Sequence, residues 1–108
     1  MHLPSEIFGD VIVVHTPDEF TADQGEQLAP YLARLERRNV VVDLDSTEML
    51  DSAALCALLD AQDLLRAESG RVKIATSNPA NRKILEITRL DEQLEVFGSV
   101  VEAVKSYR

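Results

Sequence analysis

The 108-residue sequence predicts a small α/β domain: a mixed, largely parallel sheet with an N-terminal hairpin and about four helices. Two observations carry that prediction. Short β-branched runs alternate with segments of helical periodicity. One run, Val40-Val41-Val42-Asp43-Leu44-Asp45, is almost unbroken in apolar residues, as in a central strand covered on both faces. Each strand-helix-strand step that pairs in parallel then implies a right-handed crossover.

Taken in order, Asp10-Val11-Ile12-Val13-Val14-His15 is a strand, and Glu6-Ile7-Phe8 pairs with it across a Gly9-Asp10 turn as a hairpin on the sheet edge. Thr21 caps the first helix, with Gln24 completing a capping box. Leu28, Tyr31, Leu32 and Leu35 keep helical spacing through Arg38, and Pro30, lacking an N–H, is expected to kink or restart that helix. The basic run Arg34-Leu35-Glu36-Arg37-Arg38 at its end complements the helix dipole and needs no ligand. After the central strand, a helix from Ser52 to about Glu68 places Ala54, Ala57, Leu58, Ala61, Leu64 and Leu65 on one stripe, with Asp60, Asp63 and Arg66 pointing away. Ser69-Gly70 stops it. Arg71–Thr76 alternates as a strand with its polar side chains toward solvent. Asn78 caps the next helix, with Pro79 in its first turn and Ile84, Leu85 and Ile87 as its buried side. Leu94–Phe97 is a short strand, and Ser99 with Glu102 forms a second capping box before a last helix that buries Val101 and Val104.

The length fits one domain and excludes two, and a content of 45% hydrophobic and 28% charged residues supplies a core unlike that of a disordered chain. A net charge of -8 disfavours DNA, RNA and anionic membrane surfaces, so a protein partner without direct membrane contact is expected. No apolar run approaches a membrane span and the first residues lack a secretory layout, which points to the cytoplasm. Cys56 is the single cysteine, so no internal disulfide forms; with only two histidines, a structural zinc site is not expected, and Cys56 reads as a small packing residue. Gly9, Gly25, Gly70 and Gly98 are scattered rather than gathered in a phosphate loop, and neither His2 nor His15 lies near Cys56 in sequence. The chain reads as a non-enzyme without cofactor, metal or catalytic residue.

Two features remain. Asp43, Asp45 and Asp51 lie at or beyond the carboxyl end of the central strand and could form a carboxylate cluster, although isolated acidic loops are commoner. The second is Ser52, a hydroxyl at the first turn of a helix, where free N–H groups and the dipole stabilise a phosphate. The simpler alternative is that Asp51 or Ser52 only caps the helix. Asp51 itself could repel a phosphate, or orient the hydroxyl and the metal-bound nucleotide of a kinase.

Val40–Leu59, with Asp51-Ser52-Ala53-Ala54-Leu55-Cys56, resembles the strand and following Asp-Ser-Ser/Ala-Gly-Leu-Gly helix start of STAS domains, the family of anti-sigma factor antagonists and sulfate-transporter cytoplasmic domains. Asn78-Pro79 through Leu85, and Leu90, resemble its later helix and loop, so the likeness covers nearly the whole chain. The resemblance implies a STAS-like fold over residues 1–108 and an antagonist whose Ser52 is phosphorylated by a partner that is both anti-sigma factor and serine kinase, and is restored by a cognate phosphatase. It also implies a partner-binding surface of Thr21, Asp51, Ser52, Ala53, Ala54 and Cys56. Ala54 and Cys56 stand where the family has glycines, and Asp18-Glu19-Phe20-Thr21 replaces its Gly-x-Leu-Asp, which leaves Thr21 to cap the helix. The other reading is an unphosphorylated STAS subunit of a signalling scaffold or of a phospholipid-transport ATPase complex.

Overall fold

The computed structural model describes residues 3–35 and 39–107. Strand β1 (Ser5–Phe8) returns as β2 (Val11–His15) through the two-residue turn Gly9-Asp10, antiparallel, with Phe8 opposite Val11. Gly9 has φ +64°, a left-handed conformation that glycine takes without strain and that two-residue hairpins require. Strands β3 (Glu19–Phe20), β4 (Asn39–Asp43), β5 (Met49–Leu50), β6 (Arg71–Ala75) and β7 (Glu95–Phe97) follow, interleaved with helices α1 (Ala22–Ala33), α2 (Ser52–Ala67), α3 (Pro79–Ile87) and α4 (Val100–Lys105). The main sheet has the order β1-β2-β4-β6-β7, parallel throughout except for the β1 edge.

Because side chains alternate along a strand, each central strand feeds two cores. Ile12, Val14, Val40, Val42, Val72 and Ile74 pack on one face against Leu28 and Leu32 of α1, Leu58 and Leu65 of α2, and Leu85 of α3. On the other face Val11, Val13, Val41 and Ala75 meet Ala103 and Val104 of α4. The apolar Val40–Val42 run is therefore buried on both sides, as its composition predicts. Among the described residues no helix is long and apolar enough to cross a membrane.

Several local expectations are corrected by packing. Helix α1 runs through Pro30 and ends at Ala33; the proline lies on the exposed side, where losing one N–H does not orphan a buried carbonyl. Arg34 donates from Nε to the Pro30 carbonyl (3.2 Å), while Glu36, Arg37 and Arg38 lie outside the described residues. Leu64, Ile87 and Val101 are exposed, the last two by 70% and 60%, because each lies beside rather than on the line of contact of its helix. Leu55, left out of the predicted stripe, is buried. Cys56 is not a packing residue: it is exposed on α2. Lys73 does not face solvent either. It is 4% exposed beneath the end of α4, where Nζ donates to the Ser106 hydroxyl (2.8 Å) and carbonyl (3.2 Å) and lies 4.2 Å from the centre of the Tyr107 ring. Thr76, at the end of the same predicted strand, is fully buried.

Candidate functional site at the paired helix starts

Two strands of two residues each, too short to show a strand period, organise the site. β3 and β5 pair in parallel with Phe20 opposite Leu50, so the residues that follow, Thr21 and Asp51, stand side by side as the caps of α1 and α2. Phe20 is fully buried and anchors this small sheet. The two helices leave it together and pack closely through Gly25: a Cβ there would come within 3.1 Å of the Ala54 Cα and 3.2 Å of the Ala57 Cβ.

The capping pattern determines which side chains are free. Asp51 is the cap of α2, its Oδ1 accepting from the Ala54 N–H at 2.9 Å, while the Leu55 N–H donates to the Asp51 carbonyl at 3.2 Å. Ser52 is thus the first helical residue, exposed, with no capping duty. The N–H groups of Ser52 and Ala53 have no acceptor among the described residues and open outward at the positive end of the helix dipole. Thr21 forms the expected capping box with Gln24, whose Oε1 accepts from both the Thr21 N–H (3.2 Å) and the Thr21 hydroxyl (2.9 Å).

Of the residues expected at the surface, Ser52, Ala53 and Cys56 are exposed, and Thr21 and Asp51 are half-buried. Ala54 is a correction. Its side chain is fully buried against α1 beside Gly25, so its methyl group lies inside the helix pair rather than on the surface. Between the helices runs a shallow groove of about 150 Å³, floored by Ala22, Gly25, Ala29, Ala53 and Ala57 and rimmed by Glu26 and Asp60.

The three aspartates do not form a common cluster. Asp43 accepts from His15 and from the Asp45 N–H (3.0 Å), Asp45 accepts from the Ser77 N–H (2.6 Å) and hydroxyl (3.1 Å), and Asp51 caps α2. Among the described residues no group of three or more His, Cys, Asp or Glu side chains is placed to hold a metal ion. Behind the site the β4–β5 loop is held by buried polar groups. Thr47 bonds the Thr16 hydroxyl and donates to the Pro17 carbonyl, and the Asn81 amide donates to the carbonyls of Leu44 and Thr47. This network fixes the approach to Ser52.

A family model described as the STAS domain matches residues 3–103. The chain belongs to the STAS domain family. A STAS-domain-containing protein of Pseudomonas aeruginosa is 32% identical over 78 residues, 72% of this chain and 77% of that protein. The STAS fold is shared with an anti-sigma factor antagonist from Mycobacterium paratuberculosis, at TM-score 0.83 and 24% identity over 97% of this chain and 92% of that one. It is shared also with the phosphorylated form of the Bacillus cell fate determinant SpoIIAA, at TM-score 0.70 and 17% identity over 99% and 100% of the two chains.

Within this STAS domain, sequence reasoning missed Gly25 and the β3–β5 pair. A signal for the pair was present: Phe20-Thr21 and Leu50-Asp51 both set a large apolar residue directly before a helix cap, the arrangement that steers the chain into a helix. A glycine inside α1 was likewise a sign of close approach.

Proposed function

We propose that this STAS domain is an anti-sigma factor antagonist-like binding module, and that phosphorylation of Ser52 by a partner that is both kinase and anti-sigma factor switches its docking. The observation that carries the reading is the division of labour at α2: Asp51 caps the helix, so the Ser52 hydroxyl stays exposed and free to accept a phosphoryl group. With Ser52 free, the starts of α1 and α2 dock on the partner, and Thr21, Asp51, Ala53 and Cys56 contribute to that surface. A phosphate adds about −1.5 to −2 charges beside Asp51 and must be desolvated for the same contact to form, which favours release. A cognate phosphatase resets the module, in the cytoplasm, with neither nucleic acid nor membrane bound.

Charge supports a basic partner face. Stretches 3–33 and 39–65, which hold α1 and all but the end of α2, contain neither Lys nor Arg; all 11 lie elsewhere. Exposed Asp18, Glu19, Asp23, Glu26, Glu48 and Asp60 lie along these stretches with no Lys or Arg among them. Oppositely charged faces speed encounter and make binding sensitive to salt.

The test is incubation with the kinase of the same operon and ATP, followed by mass spectrometry and a label-free binding titration by isothermal calorimetry. Phosphate is expected on Ser52, Ser52→Ala should bind like the unmodified protein, and Ser52→Asp should bind about 5- to 150-fold more weakly, the range of an ordinary coupling energy. No phosphate on Ser52 together with equal binding by Ser52→Ala and Ser52→Asp rejects the switch and favours a constitutive scaffold or transporter subunit.

A further inference from the structure

The carboxyl edge of the main sheet holds a second arrangement, separate from Ser52 and from the helix pair. His15, the last residue of β2, lies between two carboxylates on the two flanking strands. Its Nδ1 is 2.7 Å from Asp43 Oδ2 on β4, and its Nε2 is 2.9 Å from Glu6 Oε1 on β1. A neutral imidazole carries one N–H; only the imidazolium can donate to both carboxylates at once.

We propose that His15 is a proton-operated clasp: holding its second proton it ties edge strand β1 to β4 across β2, and on losing that proton it lets β1 go. The side that releases is set by burial. The Asp43 side chain is 9% exposed, whereas that of Glu6 is 59% exposed. The remaining N–H therefore stays with Asp43, where an unpaired buried carboxylate costs most, and the Nε2 lone pair turns against Glu6. All four residues of β1 are exposed, and besides its ladder to β2 the strand is anchored at its two ends. Before it, Leu3 is buried in the core with its carbonyl accepting from the Tyr31 hydroxyl (3.3 Å), and the Pro4 carbonyl accepts from the His15 N–H (2.9 Å); after it, Phe8 lies beside Val101 and Val104 of α4. The clasp frees the stretch between these anchors. Its release uncovers the β2 edge, whose free N–H and C=O groups then become available for pairing with another strand.

Among the described residues no other charge acts on the ring. Glu6 comes from β1 and Asp43 from β4; the neighbour of Asp43 on β6 is Ala75, and the uncharged Thr16 beside it donates its backbone N–H to the Asp43 carbonyl (3.1 Å). Helix α4 turns Ala103 and Val104 toward this face and keeps Glu102 and Lys105 exposed. Although partial burial disfavours the charged ring, bonds to Asp43 and Glu6 outweigh it and raise the pKa above the ordinary 6.5. A group whose pKa is raised on folding gives stability that is fully present below its unfolded value and lost as pH rises through its folded value. The window therefore opens near neutrality and extends upward.

Amide hydrogen exchange by NMR, corrected for intrinsic rates, reads the clasp on the intact chain from about pH 5.5 to about pH 8.5, the range in which histidines titrate. Protection of the β1–β2 amides should fall several-fold with the midpoint of the His15 ring resonances, while β4–β6 amides stay level. Glu6→Gln, on an exposed strand, keeps a partner for either ring state because its amide can accept or donate. It should fold normally and abolish the pH dependence of β1 protection. Flat β1 protection in the unaltered protein while His15 titrates, or the same dependence surviving in Glu6→Gln, overturns the proposal.

Discussion

Whether Asp51 or Ser52 caps α2 decides what the serine hydroxyl is free to do, and one bond from the Ala54 N–H to Asp51 Oδ1 settles that it is Asp51. Removing this cap should therefore damage stability without touching the Ser52 hydroxyl. Asp51→Ala is expected to cost about 1 kcal/mol in urea unfolding, whereas Asp51→Asn, which retains the accepting oxygen, should cost a few tenths at most. Neighbouring types of residue thus have opposite fates: the local pattern Asp-Ser at a helix start named both, but which oxygen turns back onto the helix is a matter of backbone angles that sequence does not print. Cys56 and Ala54 show the same limit. Two residues apart on α2, one is exposed and the other fully buried, because α1 approaches only one side of the helix.

At the scale of elements, the close packing of α1 on α2 depends on the missing side chain of Gly25. In an isolated helix a larger residue would raise helix propensity, but here its Cβ meets backbone at 3.1 Å. Gly25→Val should destabilise by about 1–3 kcal/mol, as overpacking does, and should widen the helix pair at the Ser52 end; a lowered urea midpoint together with shifted amide resonances of Ala53–Ala57 checks both effects. The long elements were legible because their signals are local: Asn78-Pro79 opens α3, Ser69-Gly70 closes α2, and Ser99 accepts from the Glu102 N–H at 3.2 Å to open α4. Strands β3 and β5 were not. Two residues cannot display a period, and their pairing joins segments some thirty positions apart. The buried side of each helix was legible only in part, since Ile87 and Val101 match their helical pattern yet stay mostly exposed.

For the molecule as a whole, the two faces of the sheet are unequal: three helices cover one, and the six residues of α4 cover the other. That short helix is held by a buried cation and a half-buried phenol. Lys73 donates to Ser106, and the Tyr107 hydroxyl donates to the carbonyls of Val40 (2.7 Å) and Arg71 (3.0 Å), burial holding the phenol proton on well past its usual range. Lys73→Met keeps the aliphatic stem but leaves the Ser106 carbonyl unpaired. It should cost about 1–3 kcal/mol in thermal unfolding, with the α4 amides losing exchange protection before the rest. Charge acts at the same scale: with a net -8 and no Lys or Arg along most of the α1–α2 pair, partner affinity should fall as salt rises from low to physiological concentration, mainly through slower association in stopped-flow mixing. The alternation of strands and helices, the doubly buried central strand, the caps of α1, α3 and α4 and the serine at the start of α2 were determined by the sequence alone, because periodicity and capping act over a few residues. Only the tertiary structure decided that Ala54 lies inside and Cys56 outside, that Lys73 is buried, and that His15 stands between carboxylates from two other strands. Each of these depends on which distant segment arrives as a neighbour, and local chemistry does not specify that.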